Sequence, residues 1–332
     1  MRALLPLLLT ACGPDAGPAD RTAVDSADSA DSASPAEGPL TPRFSFVVIA
    51  DPHVYGPGEH ADRLAAAVSW VNEHAAERDL QLVVVLGDIA WNDGIPLANE
   101  LLGELTVPWV PVLGDNEIQS GDAEAFHVIF ADQVAALHDQ LDAFSIAPTP
   151  VDDPVWGRPS WLQNLAFTHQ GVRFISADWS SRDLDTLWGE TPDLHEFEGG
   201  TWPWLEAQLS DTSTLPDDAV VLLSHMPLFS GPGGLTVDEA ARVVETLDPH
   251  RDVVWANLAG HLHGSSSMDW DEAGLEVHVT DATWDDDNAV RVITVTGNDQ
   301  RFAYAHDLVV VQPGASRAAR AYWDALARTP PR

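Results

Sequence analysis

The chain has 332 residues, enough for one large α/β domain or two smaller ones with a sizeable core. Hydrophobic residues make up 45% of it and there are 13 Trp, so the composition is that of a globular protein rather than a disordered one. The 52 acidic residues outnumber the 16 basic ones, which are all Arg, and the formal net charge is -36. Such a charge argues against binding to nucleic acid or to an anionic membrane surface by charge alone, so we expect no nucleic-acid partner.

The first 12 residues, MRALLPLLLTAC, have the outline of a secretory signal peptide, which is too short to span a bilayer as a stable helix. Its last four residues, LTAC, resemble the bacterial lipobox, in which the Cys becomes the new N-terminus and takes lipid on its sulfur. Cys12 is the only Cys in the chain, so it cannot form an internal disulfide, and we predict that it is lipidated. The alternative is an ordinary leader with a chance Cys.

Gly13, rather than Asp, follows Cys12, a pattern that accompanies outer-membrane sorting in many Gram-negative lipoproteins. We therefore expect an exported lipoprotein of the outer membrane or cell surface, with the periplasm as the alternative. The lipid anchor is its only expected contact with a membrane.

Residues 13–42 are rich in Asp, Ser, Ala and Pro and repeat the triplet DSA, which predicts a flexible tether. The composition changes at Phe44, so we predict a folded domain over residues 43–312. An insert around 118–170 is expected to shape the mouth of a site. The residue pattern of the last segment, 313–332, predicts an amphipathic helix that packs on the domain.

Near-continuous apolar runs alternate with helical patterns along the predicted domain. Such runs are typical of strands covered on both faces, and their alternation with helices favours a layered α/β domain. The predicted strands are 44–50, 80–87, 107–114, 171–177, 219–224 and 253–260, followed by the more alternating 275–280, 290–296 and 302–311. The predicted helices are 61–79, 95–105 and 204–209, with a further helix-like stretch at 125–144.

Metal-ligand residue types follow five of these apolar runs, at the carboxyl ends where α/β folds gather ligands. One such motif is weak evidence, but five in succession are hard to explain by chance. Carboxylates and imidazoles that are buried without partners are also energetically costly. A shared cation removes that cost, and this donor mixture suits Mn, Fe or Zn. The motifs are DPH (Asp51, His53), GD (Asp88), GDNE (Asp115, Asn116), HMP (His225) and GHLH (His261, His263).

In this order, the motifs resemble those of the calcineurin-like metallophosphoesterases: D-x-H, G-D, G-N-H-[DE], a lone His and G-H-x-H. The resemblance covers roughly residues 44–296. It implies a four-layer αββα sandwich of two mixed β-sheets flanked by helices. It also implies that a small phosphoester is hydrolysed by a hydroxide that bridges two divalent or mixed-valence metal ions, Mn, Fe or Zn.

The resemblance also assigns ligands to each ion, and Asp88 bridges the pair. The first ion would be held by Asp51, His53, Asp88 and His263, and the second by Asp88, Asp115, His225 and His261.

The sequence departs from the family pattern at GDNE, residues 114–117. Asp115 stands where the family has its ligand Asn. Asn116 stands where the family has a His that stabilises the transition state or protonates the leaving group. An alignment shifted by one residue restores Asn116 as the ligand, but it needs an extra residue in a tight turn.

In the unshifted alignment, Asn116 is the predicted catalytic residue beside Asp88. Its amide can donate a hydrogen bond to a phosphoryl oxygen but cannot act as an acid. The hydrolysis rate of aryl esters and phosphoanhydrides should therefore be reduced less than that of alkyl phosphates. His60 is the one other candidate for a proton donor, and the alternative is a plain exposed loop His.

Two alternatives to this hydrolase remain at the level of sequence. The first is a non-catalytic metal-binding scaffold lipoprotein of the same fold, which the loss of the motif His favours. The second is a metallohydrolase that acts on a substrate other than a phosphoester. Monoesters, diesters, nucleotides and lipid headgroups all fit the pattern as substrates.

Overall fold

The structure is a computed structural model that describes residues 39–182, 192–211, 219–230, 234–285, 288–298 and 302–311. The predicted signal peptide with Cys12, the tether up to residue 38 and the C-terminal helix within 313–332 lie outside the described residues. The first strand begins at Thr41, so residues 41 and 42 of the predicted tether belong to the sheet. Strands and helices are numbered in chain order.

The first sheet has five strands in the order β14-β13-β1-β2-β3. β1, β2 and β3 are parallel, while β13 is antiparallel to β1 and to β14, so the sheet is mixed. Its strands are β1 (Thr41–Ile49), β2 (Leu80–Leu86), β3 (Trp109–Val112), β13 (Ala289–Gly297) and β14 (Phe302–Val310).

The second sheet has seven strands in the order β11-β12-β10-β9-β8-β7-β4. Its central strands β8, β9, β10 and β12 are parallel, and the outer pairings are antiparallel. They are β4 (Asp142–Ile146), β7 (Leu165–His169), β8 (Val172–Ser176), β9 (Val220–Leu223), β10 (Val254–Ala259), β11 (Ser266–Trp270) and β12 (Leu275–Val279). A separate hairpin consists of β5 (Val151–Asp153) and β6 (Arg158–Ser160).

Alternate residues of β1 contribute to two different cores, because successive side chains of a strand point to opposite faces. Phe46 and Val48 lie in the core between the two sheets, together with Phe174 of the second sheet. Val47 and Ile49 lie in the core between the first sheet and its helices. This burial on both faces explains the near-continuous apolar run in the sequence.

Helices cover the outer face of each sheet. Leu64 and Val68 of α1 pack against the first sheet, and Leu205 of α6 and Val243 of α7 pack against the second. The predicted αββα sandwich of two mixed sheets flanked by helices is therefore confirmed. None of the described helices is both long and apolar enough to cross a membrane. The helices are α1 (Glu59–Arg78), α2 (Gly94–Leu102), α3 (Asp115–Gln119), α4 (Ala123–Ile129), α5 (Ala131–Gln140), α6 (Thr201–Ser210), α7 (Val237–Leu247) and a 3-10 turn at Asp248–His250.

The helix-like stretch 125–144 is not one helix. The chain breaks at Phe130, which lies between α4 and α5 and packs its ring on Phe126 at 4.6 Å and on Trp109 at 5.7 Å. Leu141 is extended, and the chain enters β4, which pairs with β7. Core packing and strand pairing therefore override the helical pattern here. Within the predicted insert 118–170, β4 and β7 are strands of the second sheet.

The carboxyl ends of the parallel strands meet at a common edge of the two sheets. Nδ1 of His225, just after β9, lies 2.9 Å from the carbonyl oxygen of Leu86 at the end of β2. The backbone N–H of His261, after β10, donates to a carboxylate oxygen of Asp51 at 3.0 Å, just after β1. Residues distant in sequence are thereby brought together at this edge.

Candidate metal centre

Four ligand-type side chains, the first group, meet where β1, β2 and β10 end. Nε2 of His53 lies 3.2 Å from Oδ2 of Asp88 and 3.8 Å from Oδ1 of Asp51. Nε2 of His263 lies 3.5 Å from the same Asp51 oxygen. The four side chains can each offer one atom within 4.8 Å of the others, and only His263 is partly exposed.

Asp115, His225 and His261 form the second group. Oδ1 of Asp115 lies 2.7 Å from Nε2 of His225 and 3.0 Å from Nδ1 of His261. The other carboxylate oxygen of Asp115 accepts a hydrogen bond from the amide of Gln119 at 2.8 Å. Asp115 and His225 are buried, and His261 is partly exposed.

Asp88 lies between the two groups. Its Oδ2 is 3.2 Å from Nε2 of His53, and its Oδ1 is 3.3 Å from Nε2 of His225. Each carboxylate oxygen of Asp88 therefore faces an imidazole of a different group. A carboxylate in this position can contribute a ligand atom to both groups.

Hydrogen bonds orient the ring of His225. Its Nδ1 donates to the carbonyl of Leu86, which leaves Nε2 directed at Asp115 and Asp88. A ring nitrogen fixed by a backbone carbonyl is the usual way in which proteins select the nitrogen that binds a metal.

Two glycines of the motifs leave space for the carboxylates. A Cβ on Gly114 would lie 2.3 Å from Oδ1 of Asp88, and a Cβ on Gly260 would lie 2.5 Å from Oδ2 of Asp51. Any side chain at either position would displace a carboxylate of the first group. This close approach explains the Gly that precedes Asp115 in GDNE and the Gly that precedes the first His of GHLH.

Five of the clustered residues adopt left-handed backbone conformations, which cost a non-glycine residue about 1–3 kcal/mol each. Strain of this kind persists at functional sites, where the surrounding structure holds it in place. The φ angles are 47° at Asp51, 53° at His53, 48° at Asp88, 68° at His261 and 52° at His263.

The carboxylates and imidazoles shift each other's titration. Burial lowers the pKa of His53, but hydrogen bonds and charge from Asp51 and Asp88 outweigh it and raise the pKa to about 9. Burial likewise opposes the shift at His225, whose pKa the charge of Asp88 and the hydrogen bond to Asp115 raise well above its usual value. Burial alone would raise the pKa of Asp51 and Asp115, yet their imidazole partners lower both. A cation bound here must displace these imidazole protons.

The structure places Asp115, and not Asn116, beside the imidazoles of the second group. Asn116 instead donates two hydrogen bonds to Asp88: its backbone N–H to Oδ1 at 2.9 Å, and its side-chain amide to Oδ2. Asp115 begins α3 directly after Gly114, so the turn holds no extra residue. This is the geometry of the unshifted alignment.

Glu117, the last residue of GDNE, was given no role by the sequence. It is fully buried, and its two carboxylate oxygens accept the backbone N–H groups of Ala90 at 3.0 Å and Gly114 at 2.9 Å. Glu117 therefore ties the loop that carries Asp88 to the loop that carries Asp115. Burial, followed by the charge of Asp88, raises the pKa of Glu117 to about 8.

Aromatic side chains flank the first group, and sequence reasoning missed them. The ring of Trp284 lies 5.4 Å from His53 and 5.3 Å from His263, and the ring of Trp91 lies 5.1 Å from His53. Tyr55 stacks on Trp91 at 6.1 Å. Trp91 follows the GD motif by three residues, but Trp284 follows β12, whose carboxyl end no motif marks.

His60 does not lie in an exposed loop. It is in the first turn of α1 and is 4% exposed, its Nδ1 lies 2.7 Å from the carbonyl oxygen of His53, and its ring stacks on Trp284 at 5.4 Å. Burial lowers its pKa and so disfavours the charged imidazolium. Its geometry is that of a packing residue behind His53 rather than that of a proton donor.

A buried network supports the end of β3 next to Asp115. The side chain of Gln163 accepts the backbone N–H of Leu113 at 2.6 Å and donates to the carbonyl of Pro111 at 3.0 Å. The backbone N–H of Gln163 donates to Asp178, which pairs with Arg182. Gln163 carries no sequence signal, because its role depends on contacts across 50 residues.

The donor set of the two groups fits a dinuclear metal site. Three carboxylates and four imidazoles converge there, and such mixtures suit Mn, Fe or Zn. Asp51, His53, Asp88 and His263 would hold one ion, and Asp88, Asp115, His225 and His261 the other.

One comparison with known proteins identifies a family for the chain. Residues 44–265 match the family model of the calcineurin-like phosphoesterases. A search of curated proteins found no match.

Three solved structures are similar to the chain. The protein TT1561 of Thermus thermophilus is 14% identical, with a TM-score of 0.44 over 78% of this chain and 99% of its own. A candidate 5′-nucleotidase of Staphylococcus aureus, in complex with α-ketoglutarate, is 12% identical, with a TM-score of 0.49 over 86% of this chain and 58% of its own. The sulfate thiohydrolase SoxB of Thermus thermophilus, in complex with glycerol, is 14% identical, with a TM-score of 0.43 over 87% of this chain and 61% of its own. This chain thus spans about three fifths of the last two proteins.

The family model covers about two thirds of the 332 residues and includes all five motifs whose side chains form the two groups. The chain belongs to the calcineurin-like phosphoesterase family.

Proposed function

We propose that the protein hydrolyses phosphoesters with the help of two cations, one held by the first group and one by the second. The observation that carries this proposal is the position of Asp88, whose two oxygens face imidazoles of different groups at 3.2 Å and 3.3 Å. A carboxylate placed in this way can hold two cations as a pair, and membership of the family supports the same reaction.

When bound, the two cations supply Lewis-acid activation of a phosphoryl group and of a water molecule. The residues of the chain hold and orient what binds there. Asn116 fixes Asp88 through two hydrogen bonds, and the second N–H of its side-chain amide can donate to a phosphoryl oxygen. Glu117 keeps the two ligand-bearing loops at a constant separation.

The site favours esters with good leaving groups. Asn116 cannot protonate a departing alkoxide, and His60 is buried with a lowered pKa, which disfavours the imidazolium that a proton donor needs. A phenolate or a phosphate leaves without that help, whereas an alkoxide does not. Aryl phosphates and phosphoanhydrides should therefore react faster than alkyl phosphates.

Metal-dependent turnover tests the proposal. The full chain is stripped of metal with a chelator, loaded with Mn, Fe or Zn, and assayed on p-nitrophenyl phosphate and on bis(p-nitrophenyl) phosphate. We expect hydrolysis of at least one ester in the loaded protein and none in the stripped protein. Asp88→Asn should lose this activity, while His138→Asn, a change at a side chain that is 72% exposed, should keep it.

A non-catalytic metal-binding scaffold is the second candidate, and the Asn at position 116 favours it. Two bound ions per chain without turnover of either ester would support the scaffold. Turnover of a non-phosphate ester alone would point to a different metallohydrolase.

We also propose that the protein is exported and lipidated on Cys12, on the basis of the segment MRALLPLLLTAC. The full-length protein expressed in a Gram-negative cell should fractionate with the outer membrane. Cys12→Ser should release it or block its maturation. An unchanged membrane association of the variant would contradict lipidation.

A further inference from the structure

The side chains next to the first group differ in chemical character from those next to the second group. The first group is flanked by the rings of Trp91 and Trp284, and Tyr55, two residues after His53, stacks on Trp91. The second group is flanked by the amide of Gln119, which donates to Asp115. A substrate that spans both groups therefore meets aromatic surface on one side and polar surface on the other.

Backbone hydrogen bonds fix Tyr55 and Trp91 beside each other. The N–H of Val54 donates to the carbonyl of Ile89 at 2.9 Å, and the N–H of Trp91 donates to the carbonyl of Val54 at 3.2 Å. Gly94 completes this approach, because a Cβ there would lie 2.0 Å from the carbonyl oxygen of Val54. The two backbone segments are thus held together, and the rings stack on each other before any ligand binds, which lowers the entropy cost of stacking on them.

Tyr55 is a large ring that remains open to solvent at this position. It is 43% exposed, although it stacks on Trp91 with an interplanar angle of 29° and touches His60 edge-on at 4.9 Å. Leu262, between the two histidines of GHLH, is 47% exposed as well. Both residues are therefore exposed and close in sequence to ligand-type histidines of the two groups.

We propose that Tyr55, supported by Trp91, is a stacking platform for a planar aromatic ring in the organic group of the substrate. The inference rests on the proposed function, since it assumes that the phosphoryl group lies at the two cations. Stacked aromatic pairs are worth enough to change affinity by about 2- to 10-fold beyond simple burial. Tyr55 is thus a specificity-determining residue, and it selects aryl or heteroaromatic esters over saturated ones.

Binding of non-hydrolysable phosphonates tests the platform without relying on turnover. Benzylphosphonate and cyclohexylmethylphosphonate are similar in size and apolar area, but only the first carries a planar ring. Their dissociation constants are measured calorimetrically on the Mn-loaded full chain. We expect benzylphosphonate to bind about 2- to 10-fold more tightly.

Two variants separate stacking from apolar contact. Tyr55→Phe retains the ring and should keep the preference, whereas Tyr55→Leu retains apolar bulk and should reduce the ratio of the two constants to about 1. Inorganic phosphate has no organic group and serves as the reference ligand for each variant. Its affinity should be the same in all three proteins.

The outcomes distinguish this inference from the proposed function. Equal affinity for both phosphonates in the wild type, or a preference that survives in Tyr55→Leu, overturns the stacking platform even if esters are hydrolysed. A preference that depends on Tyr55, in a protein that hydrolyses no phosphoester, supports the platform while the proposed hydrolase fails. Failure of both phosphonates to bind the loaded protein overturns the stacking platform, while the proposed hydrolase is then decided by turnover alone.

Discussion

Asn116 donates hydrogen bonds to both carboxylate oxygens of Asp88, one from its backbone N–H at 2.9 Å and one from its side-chain amide. The residue that stands in place of the family's motif His therefore orients the carboxylate that lies between the two groups. Its amide keeps Asp88 oriented toward His53 and His225, but it has no acidic proton to give.

Restoring an imidazole at position 116 should change which esters react best. Asn116→His supplies a proton donor, and general acid catalysis of this kind is worth about 100-fold or more where the leaving group is poor. We expect kcat/KM for an alkyl phosphate to rise at least about 10-fold relative to that for an aryl phosphate. Parallel kinetics on ethyl and p-nitrophenyl phosphate measure the ratio. An unchanged ratio would show that the leaving group is protonated by another route.

Each group should lose its own cation when its exposed imidazole is removed. We expect His263→Ala to lower the affinity for the first ion and His261→Ala that for the second, each by at least about 10-fold, since even the outer partner of a ligand is worth that much. Metal analysis at limiting concentration should give about one ion per chain for either variant and two for the wild type. His138→Ala, with its 72% exposed side chain, is the control. The loss of both ions from each single variant would contradict separate half-sites.

The metal-free protein should become less stable as the pH rises above neutrality. The pKa of His53 is raised from 6.5 to about 9, so the folded chain keeps a proton that the unfolded chain releases. This contribution is complete below pH 6.5 and is lost as the pH rises through about 9. As the pH is raised from the first of these values to the second, we expect the urea midpoint of the metal-free protein to decrease. The decrease should be smaller in His53→Gln. An identical pH dependence in the two proteins would rule out His53 as its source.

Glu117 should be required for the relative position of the two loops. Glu117→Gln keeps the shape, but it turns an NH₂ group toward a backbone N–H, so one buried donor loses its acceptor at a cost of about 1–3 kcal/mol. We expect a loss of that size in the free energy of unfolding and weaker cation binding. Urea titrations and metal titrations measure the two effects. Glu124→Gln, an exposed change on α4, should alter neither.

The sequence predicts the parts of the fold that are buried on both faces. The apolar runs at 44–50, 80–87 and 253–260 become β1, β2 and β10, because a strand covered on both sides needs apolar residues at every position. The run 125–144 misleads, because the contact of Phe130 with Trp109 and the pairing of β4 with β7 are not local.

The residues of the candidate site fall into two similar classes. Some are marked by local sequence motifs, and others act only through contacts with distant parts of the chain. Asp51, Asp88, Asp115 and the four histidines follow strands directly, so their motifs are visible in the sequence, and the structure brings them together. Their roles as ligands stay a prediction. Trp284, Glu117 and Gln163 act through contacts between loops, which no spacing in the sequence reveals.

The central claim is that Asp88 holds two cations as a pair, and electron paramagnetic resonance of the Mn-loaded full chain tests it most directly. At two Mn ions per chain, we expect the spectrum of a spin-coupled pair, and Asp88→Asn should lose the coupling. Two uncoupled six-line Mn signals in the wild type, or saturation at a single ion per chain, would contradict the account.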